Sequence, residues 1–461
     1  MGLGSRISKY FEVNLLQKFI YIEFTLSLLS AFSALIVYMT AAYTDYTGLM
    51  IYLLCIAIGL LIGMEIPMVI RLNSSFETLK INVSSVLEKD YYGSLAGGIF
   101  FAFVGLPILG LTYTPFILGT INFLVAVGLL WILWQEVLSS YRRRLTALSS
   151  SVAIVLLAGF FVAQPLVLYG EQVRYQDKVI FAEQTAYQKI VITQWQDEYW
   201  LYINGNQQLS TLDEELYHEP LVHPAMSLHP NPTRVLILGG GDGCAAREVL
   251  KYPSVNKITL VDLDPVMTKL GQQHPVLTSL NNNSLNHEMV EVINEDAFIF
   301  MEETRDFFDV VFVDLPDPKS VDLNQLYTEE FYELVGKRLR PNGILITQAG
   351  SPYFATRAFL CIDETMKAAD YHTVLLHNQI LTLGEWGWVM GIRTDSIDLK
   401  TALQNLRFES IDTKWINHDA MSLMTSFGKN IYTIEVDSVE VNKIHNPVLY
   451  QYYLKGNWDL Y

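Results

Sequence analysis

The chain has 461 residues, with 31 Lys/Arg against 48 Asp/Glu and a formal charge of −17. The excess is confined to one part: residues 1–170 hold 9 Lys/Arg and 8 Asp/Glu, the remainder 22 and 40. So acidic a second part argues against a nucleic-acid partner and is compatible with cationic ligands or an ordinary acidic surface. Cys55, Cys244 and Cys361 are scattered, without metal spacing or a disulfide framework, so no metal site is expected from them.

In chain order, a tail over 1–18 precedes apolar stretches at 19–42, 48–70, 93–111, 115–134 and 147–168. Each approaches or exceeds the ~20 residues that a spanning helix needs. A cleaved signal peptide would account for one stretch but not five. Residues 19–169 are therefore predicted to be a multi-pass helical domain in the lipid bilayer, with about five spans. Thr112, Tyr113 and Thr114 predict a tight hairpin between the third and fourth. Glu65 lies inside the second stretch, where a carboxylate is a functional candidate. Its position near the stretch's end favours an interfacial or packing role, and Glu23, near the start of the first, is read as interfacial.

Residues 170–230 contain strand-like runs at 179–182, 189–192 and 200–203, the last followed by Asn204-Gly205. They predict a small antiparallel β-domain. From 231 to 395 the pattern alternates. Strand candidates 234–238, 257–261, 290–294, 309–313 and 343–348 are separated by helical stretches near 244–251, 265–273, 297–305, 327–338 and 355–368. This is the signature of an α/β fold with a doubly wound, mostly parallel, Rossmann-like sheet. Residues 396–461 form a C-terminal extension without readable chemistry.

In open parallel sheets, ligands bind beyond the carboxyl ends of the strands. The first strand candidate is followed by Gly239-Gly240-Gly241-Asp242-Gly243. A glycine loop between strand and helix brings bare backbone close to a nucleoside, and the helix N-terminus then favours anions. Asp242 inverts that preference and points to a cationic group on the ligand. Asp262 follows the second strand, placed to accept hydrogen bonds from both ribose hydroxyls. Asp296 follows the third strand; Asp314 and Asp317 follow the fourth in Asp314-Leu315-Pro316-Asp317-Pro318. An aspartate after a strand is commonly only a helix cap. Four strand ends in succession favour a pocket, and the two prolines hold Asp317 on a rigid loop.

Together these segments resemble the polyamine aminopropyltransferases (spermidine synthases). Gly205-x-x-Gln208 and Asp213-Glu214-x-x-Tyr217-His218-Glu219 resemble that family's β-region and substrate gate, and Gln188 falls where the family has a glutamine near the donor's methylthio end. The similarity covers about residues 180–393. With the apolar segment, the chain looks like the membrane-anchored bacterial branch, which often carries more spans. The resemblance implies decarboxylated S-adenosylmethionine as co-substrate, no prosthetic group, and a diamine such as putrescine as acceptor. It places Gln188, Gly239, Gly241, Asp242, Asp262, Asp296 and Ala297 at the donor, and His218, Asp242 and Asp317 at amines. It makes Asp314, assisted by Tyr217, the base that frees the attacking nitrogen. Soluble members assemble as dimers or tetramers, so a homo-oligomer is an expectation. Lys319 after the catalytic loop, and Leu383-Gly384-Glu385-Trp386-Gly387-Trp388 where the family often has tyrosine before a Ser-Gly turn, depart from the pattern at the acceptor end.

Two other readings compete: a methyltransferase using intact S-adenosylmethionine, and a non-catalytic membrane sensor or transport subunit for polyamines. Orientation brings a conflict. With five spans, Arg6, Lys9, Lys18, Arg71, Lys80, Lys89 and Arg142-Arg143-Arg144 share one side, which the positive-inside rule makes cytoplasmic. A domain using a cytosolic nucleoside would then lie on the opposite side.

Overall fold

A computed structural model describes residues 1–44, 46–74, 78–394, 397–429, 431 and 439–457. The chain divides into two compact units, Met1–Gln194 and Trp195–Tyr461.

The first unit is helical, then β. Its helices are α1 (Gly2–Ser8), α2 (Leu15–Tyr43), α3 (Thr47–Asn73), α4 (Leu79–Phe100), α5 (Gly110–Ile132) and α6 (Ser139–Arg174). Four of them (α2, α3, α5 and α6) are long and apolar enough to cross a membrane. The stretch at 93–111 has no helix of its own. It falls on the end of α4, a π-helix over Phe101–Leu109 and the start of α5. Lys80, Glu88, Lys89 and Asp90 make the first half of α4 polar.

The hairpin expected at Thr112–Thr114 is not there, because all three residues belong to α5. The break lies at Gly110, whose φ of +65° suits glycine. Thr114 Oγ1 donates to the carbonyls of Gly105 and Gly110, each at 2.7 Å, and so ties the irregular turn to the first turn of α5.

Helices α2 and α5 pack through small residues: a Cβ on Gly119 would come 2.5 Å from Ser27 O. Large apolar side chains face outward instead, Tyr52, Phe103, Trp131 and Phe161 among them. Glu23 is only 4% exposed and so packs inside the bundle. After α6, β1 (Lys178–Gln184) and β2 (Lys189–Trp195) form an antiparallel hairpin.

The second unit opens with another antiparallel hairpin, β3 (Glu198–Ile203) and β4 (Asn206–Ser210). Asn204 and Gly205 both take positive φ, as a tight two-residue hairpin turn requires. Next comes α7 (Glu215–Leu228), a helix within the stretch expected to be a β-domain.

A seven-stranded sheet follows. Its strands are β5 (Arg234–Gly239), β6 (Lys257–Val261), β7 (Val290–Ile293), β8 (Phe308–Asp314), β9 (Leu339–Gln348), β10 (His372–Ile380) and β11 (Gly384–Ile392). Their order is β10-β11-β9-β8-β5-β6-β7. The five strands expected from the sequence pair in parallel, while β10 and β11 add an antiparallel edge hairpin.

Alternation explains the layers. Val235 and Ile237 of β5 face one core with Val310, Phe312 and α7 residues such as Leu221 and Met226. Leu236 and Leu238 face the other, with Val311, Val313, Phe331 and Phe359. A strand buried on both faces reads as a continuous apolar run, and Val235–Leu238 is one. Helices α8 (Cys244–Val249), α9 (Pro265–Gln273), α10 (Pro275–Leu280), α11 (Ala297–Glu303), α12 (Val321–Asn324), α13 (Glu329–Arg338) and α14 (Thr356–Ala368) complete the α/β part. Beyond it are α15 (Leu399–Gln404), α16 (His418–Met424) and α17 (Leu449–Leu454).

Candidate active site

Sheet register builds the centre of the site. β5 and β8 run in parallel with Gly239 opposite Asp314, so pairing alone sets Asp314 beside the glycine loop. Gly239 has φ +87°, and a Cβ there would come 2.0 Å from Asp314 O. Gly240 N–H donates to the same carbonyl at 3.2 Å. Gly241 leaves room for Asp262: its N–H donates to Asp262 Oδ2 at 3.1 Å, and a Cβ would come 2.6 Å from that oxygen. Asp264 N–H engages the other Asp262 oxygen at 2.9 Å, which fixes the carboxylate at the end of β6.

α7 supplies the facing side chains. Tyr217 Oη donates to Asp314 Oδ1 at 2.7 Å. Its ring leans on Trp388 of β11, with centroids 5.4 Å apart. One residue on, His218 Nε2 lies 3.8 Å from Asp242 Oδ1. Asp242 also accepts from Cys244 N–H at 2.8 Å, which pins the carboxylate at the start of α8. Atoms of His218, Asp242 and Asp314 lie within 4.8 Å of one another, a spacing that suits a single cation, ammonium or metal.

Burial pushes the Asp314 carboxyl up to about 6, helped by the Asp242 charge; His218 and the Tyr217 hydrogen bond pull against the rise. Burial likewise brings Asp262 to about 6, although two backbone N–H groups oppose it. Tyr217 is held well above the ordinary phenol value by burial and by Asp314. It remains a neutral donor.

Asp317 stands on the loop after β8, more crowded than its motif suggested. Tyr453 of α17 donates to Oδ2 at 2.5 Å, and Lys319 Nζ lies 3.5 Å from the same oxygen. Lys319 also reaches Asn206 Oδ1 at 2.8 Å. Gln348 Nε2 donates to Leu315 O at 2.9 Å and Tyr327 Oη at 2.7 Å, and so braces the loop.

Asp296 caps α11 through Oδ1, accepting from Phe298 N–H at 2.7 Å and Ile299 N–H at 3.3 Å. Ala297 is the first residue of that helix. Gln188 belongs to the first unit, in the β1–β2 turn, where Thr185 Oγ1 accepts from its N–H at 3.0 Å. Within the second unit, Tyr217, His218, Asp242, Asp262, Asp314 and the glycines therefore converge. Asp296 follows β7, the strand next to β6, and Asp317 stands on the loop after β8.

A family profile described as the spermine/spermidine synthase domain matches residues 214–402. A polyamine aminopropyltransferase of Oceanobacillus iheyensis is 40% identical over 467 residues, covering 100% of this chain and 89% of that one. One from Leptospira interrogans is 38% identical, covering 98% and 89%. The chain belongs to the polyamine aminopropyltransferase family.

Solved structures agree on fold and enzyme class. Spermidine synthase from Thermotoga maritima superposes with a TM-score of 0.51 at 26% identity, over 56% of this chain and 88% of that one. A spermidine synthase in complex with the transition-state analogue AdoDATO gives 0.52 at 26% identity, with the same coverage. Family membership decides against the methyltransferase and binding-only readings: this aminopropyltransferase is an enzyme.

Two members of the gate motif serve the fold around the site, and two supporting residues, Arg247 and Tyr453, escaped the sequence. Glu219, third in the Tyr-His-Glu motif, faces away from it: its carboxylate accepts from the N–H groups of Lys414, Trp415 and Ile416 at 2.6–2.8 Å and anchors the C-terminal extension. Asp213 likewise ties Thr382, in the β10–β11 turn, to the gate segment. Arg247 grips Glu214, which holds His218. Its one signal is an Arg-Glu pair inside the otherwise apolar α8, all six residues of which are buried. Tyr453 gave none, being 136 positions from its partner.

Proposed function

We propose that this aminopropyltransferase moves the aminopropyl group of decarboxylated S-adenosylmethionine to putrescine at a membrane, giving spermidine and methylthioadenosine. The observation that carries the reading is the Tyr217–Asp314 hydrogen bond beside a glycine loop whose carboxylate, Asp242, faces the same space. An ordinary S-adenosylmethionine bears a carboxylate that Asp242 would repel. Its decarboxylated form keeps only the aminopropyl ammonium, which Asp242 attracts.

Asp262 would hold the ribose hydroxyls and Asp296, through the oxygen not used in capping, the adenine amino group. An alkylamine with a solution pKa near 10 is unreactive until deprotonated, so a positioned base is required. Asp314 takes one proton from the acceptor ammonium while Tyr217 orients the carboxylate. The freed nitrogen attacks the carbon next to the sulfonium; the C–N bond forms as the C–S bond breaks, and the bonding pair leaves sulfur neutral in methylthioadenosine. Holding the two reactants in line supplies much of the remaining rate. Asp317 would receive the acceptor's distal ammonium.

The membrane reading rests on four long apolar helices and their outward-facing aromatic and aliphatic side chains. Four crossings return the chain to its starting side. Arg6, Lys9, Lys18, Arg71, Lys80 and Lys89 then share a side with the residues after α6, opposite Arg142-Arg143-Arg144. The positive-inside rule makes that side cytoplasmic, where the nucleoside is. With four spans the larger set of Lys and Arg would share the cytoplasmic side with the residues after α6, and Arg142-Arg143-Arg144 would lie opposite it.

Expression in cells unable to make polyamines tests the assignment. Spermidine formed from supplied putrescine supports it. No new polyamine from any of a range of diamines overturns it.

A further inference from the structure

We propose that His218 is a placeholder cation in the donor's ammonium subsite: protonated in the free enzyme, it releases its Nε2 proton when the aminopropyl ammonium seats on Asp242. The proposal rests on the donor assigned above.

The geometry fixes one ring nitrogen and leaves the other to exchange. His218 is 2% exposed. Its Nδ1 lies 2.7 Å from Glu214 Oε2 and 3.0 Å from Glu214 O, both acceptors, so Nδ1 keeps a hydrogen in either charge state. Arg247 grips the two oxygens of Glu214 at 2.7 and 3.0 Å. Burial opposes the Glu214 charge, but His218 and Arg247 hold its carboxyl down to about 2.

Nε2 faces the other way, towards Asp242. The titratable groups around the ring are Glu214 just before its helix and Tyr217 on it, Asp242 on the loop, Cys244 and Arg247 on α8, and Asp314 at the end of β8. Burial works against an imidazolium here, yet Glu214, Asp242 and Asp314 outweigh it and lift the ring to about 9. Near pH 7.5 the free site therefore holds its own cation.

An incoming ammonium must enter the same cluster, whose atoms span no more than 4.8 Å. Two cations that close, screened from bulk water, repel strongly. The imidazole proton is the one that leaves, because an alkylammonium holds its proton more tightly. The ring that remains carries hydrogen on Nδ1 and offers the Nε2 lone pair to an ammonium N–H. One proton passes to solvent as the donor binds. It returns once the aminopropyl nitrogen departs with the polyamine.

Calorimetry on the full chain in lipid nanodiscs, in buffers of different ionisation enthalpy at pH 7.5, counts that proton. Decarboxylated S-adenosylmethionine is expected to release about one proton and methylthioadenosine, which lacks the ammonium, none. Affinity for the first should rise up to tenfold per pH unit between about 7 and 8.5, and stay flat for the second. His218→Gln should abolish the release, and the two-ligand comparison on the natural chain stands without that variant. Equal release by both ligands, or undiminished release from His218→Gln, overturns the proposal. Binding of neither nucleoside overturns the donor assignment and this proposal with it.

Discussion

Replacing Asp314 by asparagine removes the base while keeping its shape. The side-chain oxygen can still accept the Tyr217 hydroxyl now 2.7 Å away, so the site should stay assembled. What disappears is the ability to take a proton from the acceptor. A positioned general base contributes roughly 10²–10⁴-fold, or about 3–5 kcal/mol of barrier. kcat for methylthioadenosine release is expected to fall by that factor.

The pH profile gives the sharper test. Asp314 acts only when ionised, and burial raises its carboxyl from 3.8 to about 6. Acceptor kcat/KM, read at saturating donor to remove the Asp262 titration, should be full above that region and fall about tenfold per pH unit below it. The bound donor's positive charge favours the carboxylate, so the limb should sit at or below about 6. In Asp314→Asn the limb should vanish. A loss smaller than tenfold, or a variant that keeps the acid limb, would refute Asp314 as the base.

Two further variants probe what surrounds it. Lys319→Met removes a cation 3.5 Å from Asp317, so the acceptor KM should fall roughly two- to fivefold, the ~0.5–1 kcal/mol of a partly exposed pair; a rise would mean that Lys319 assists the acceptor. Glu219→Gln leaves fewer acceptors for three backbone N–H groups, that of Ile416 buried, which should cost ~1–3 kcal/mol and lower the melting temperature of the second unit by roughly 3–10 °C; an unchanged thermogram would separate Glu219 from the extension's anchoring.

The sequence by itself determined the parallel core of the sheet and the order of its acidic strand ends. Val235–Leu238 is a continuous apolar run because it is buried on both faces, and a loop with Gly239 and Gly243 at positive φ admits few residues other than glycine. Both are local constraints, written where they act. Stretches long and apolar enough to span a bilayer were equally plain, but not the elements inside them. Whether 93–111 stands alone depends on where an irregular turn closes, and Thr114 decides that by bonding the Gly105 and Gly110 carbonyls.

Only the tertiary structure decided which polar residues meet. Tyr217 reaches Asp314 across 97 positions, Arg247 reaches Glu214 across 33, and Tyr453 reaches Asp317 across 136. No periodicity records such pairs, because each side chain satisfies its local helix or loop equally well without its partner. The same rule separates neighbours in one motif: successive residues on α7 point in different directions, so His218 turns to Asp242 while Glu219 turns to the backbone of the C-terminal extension.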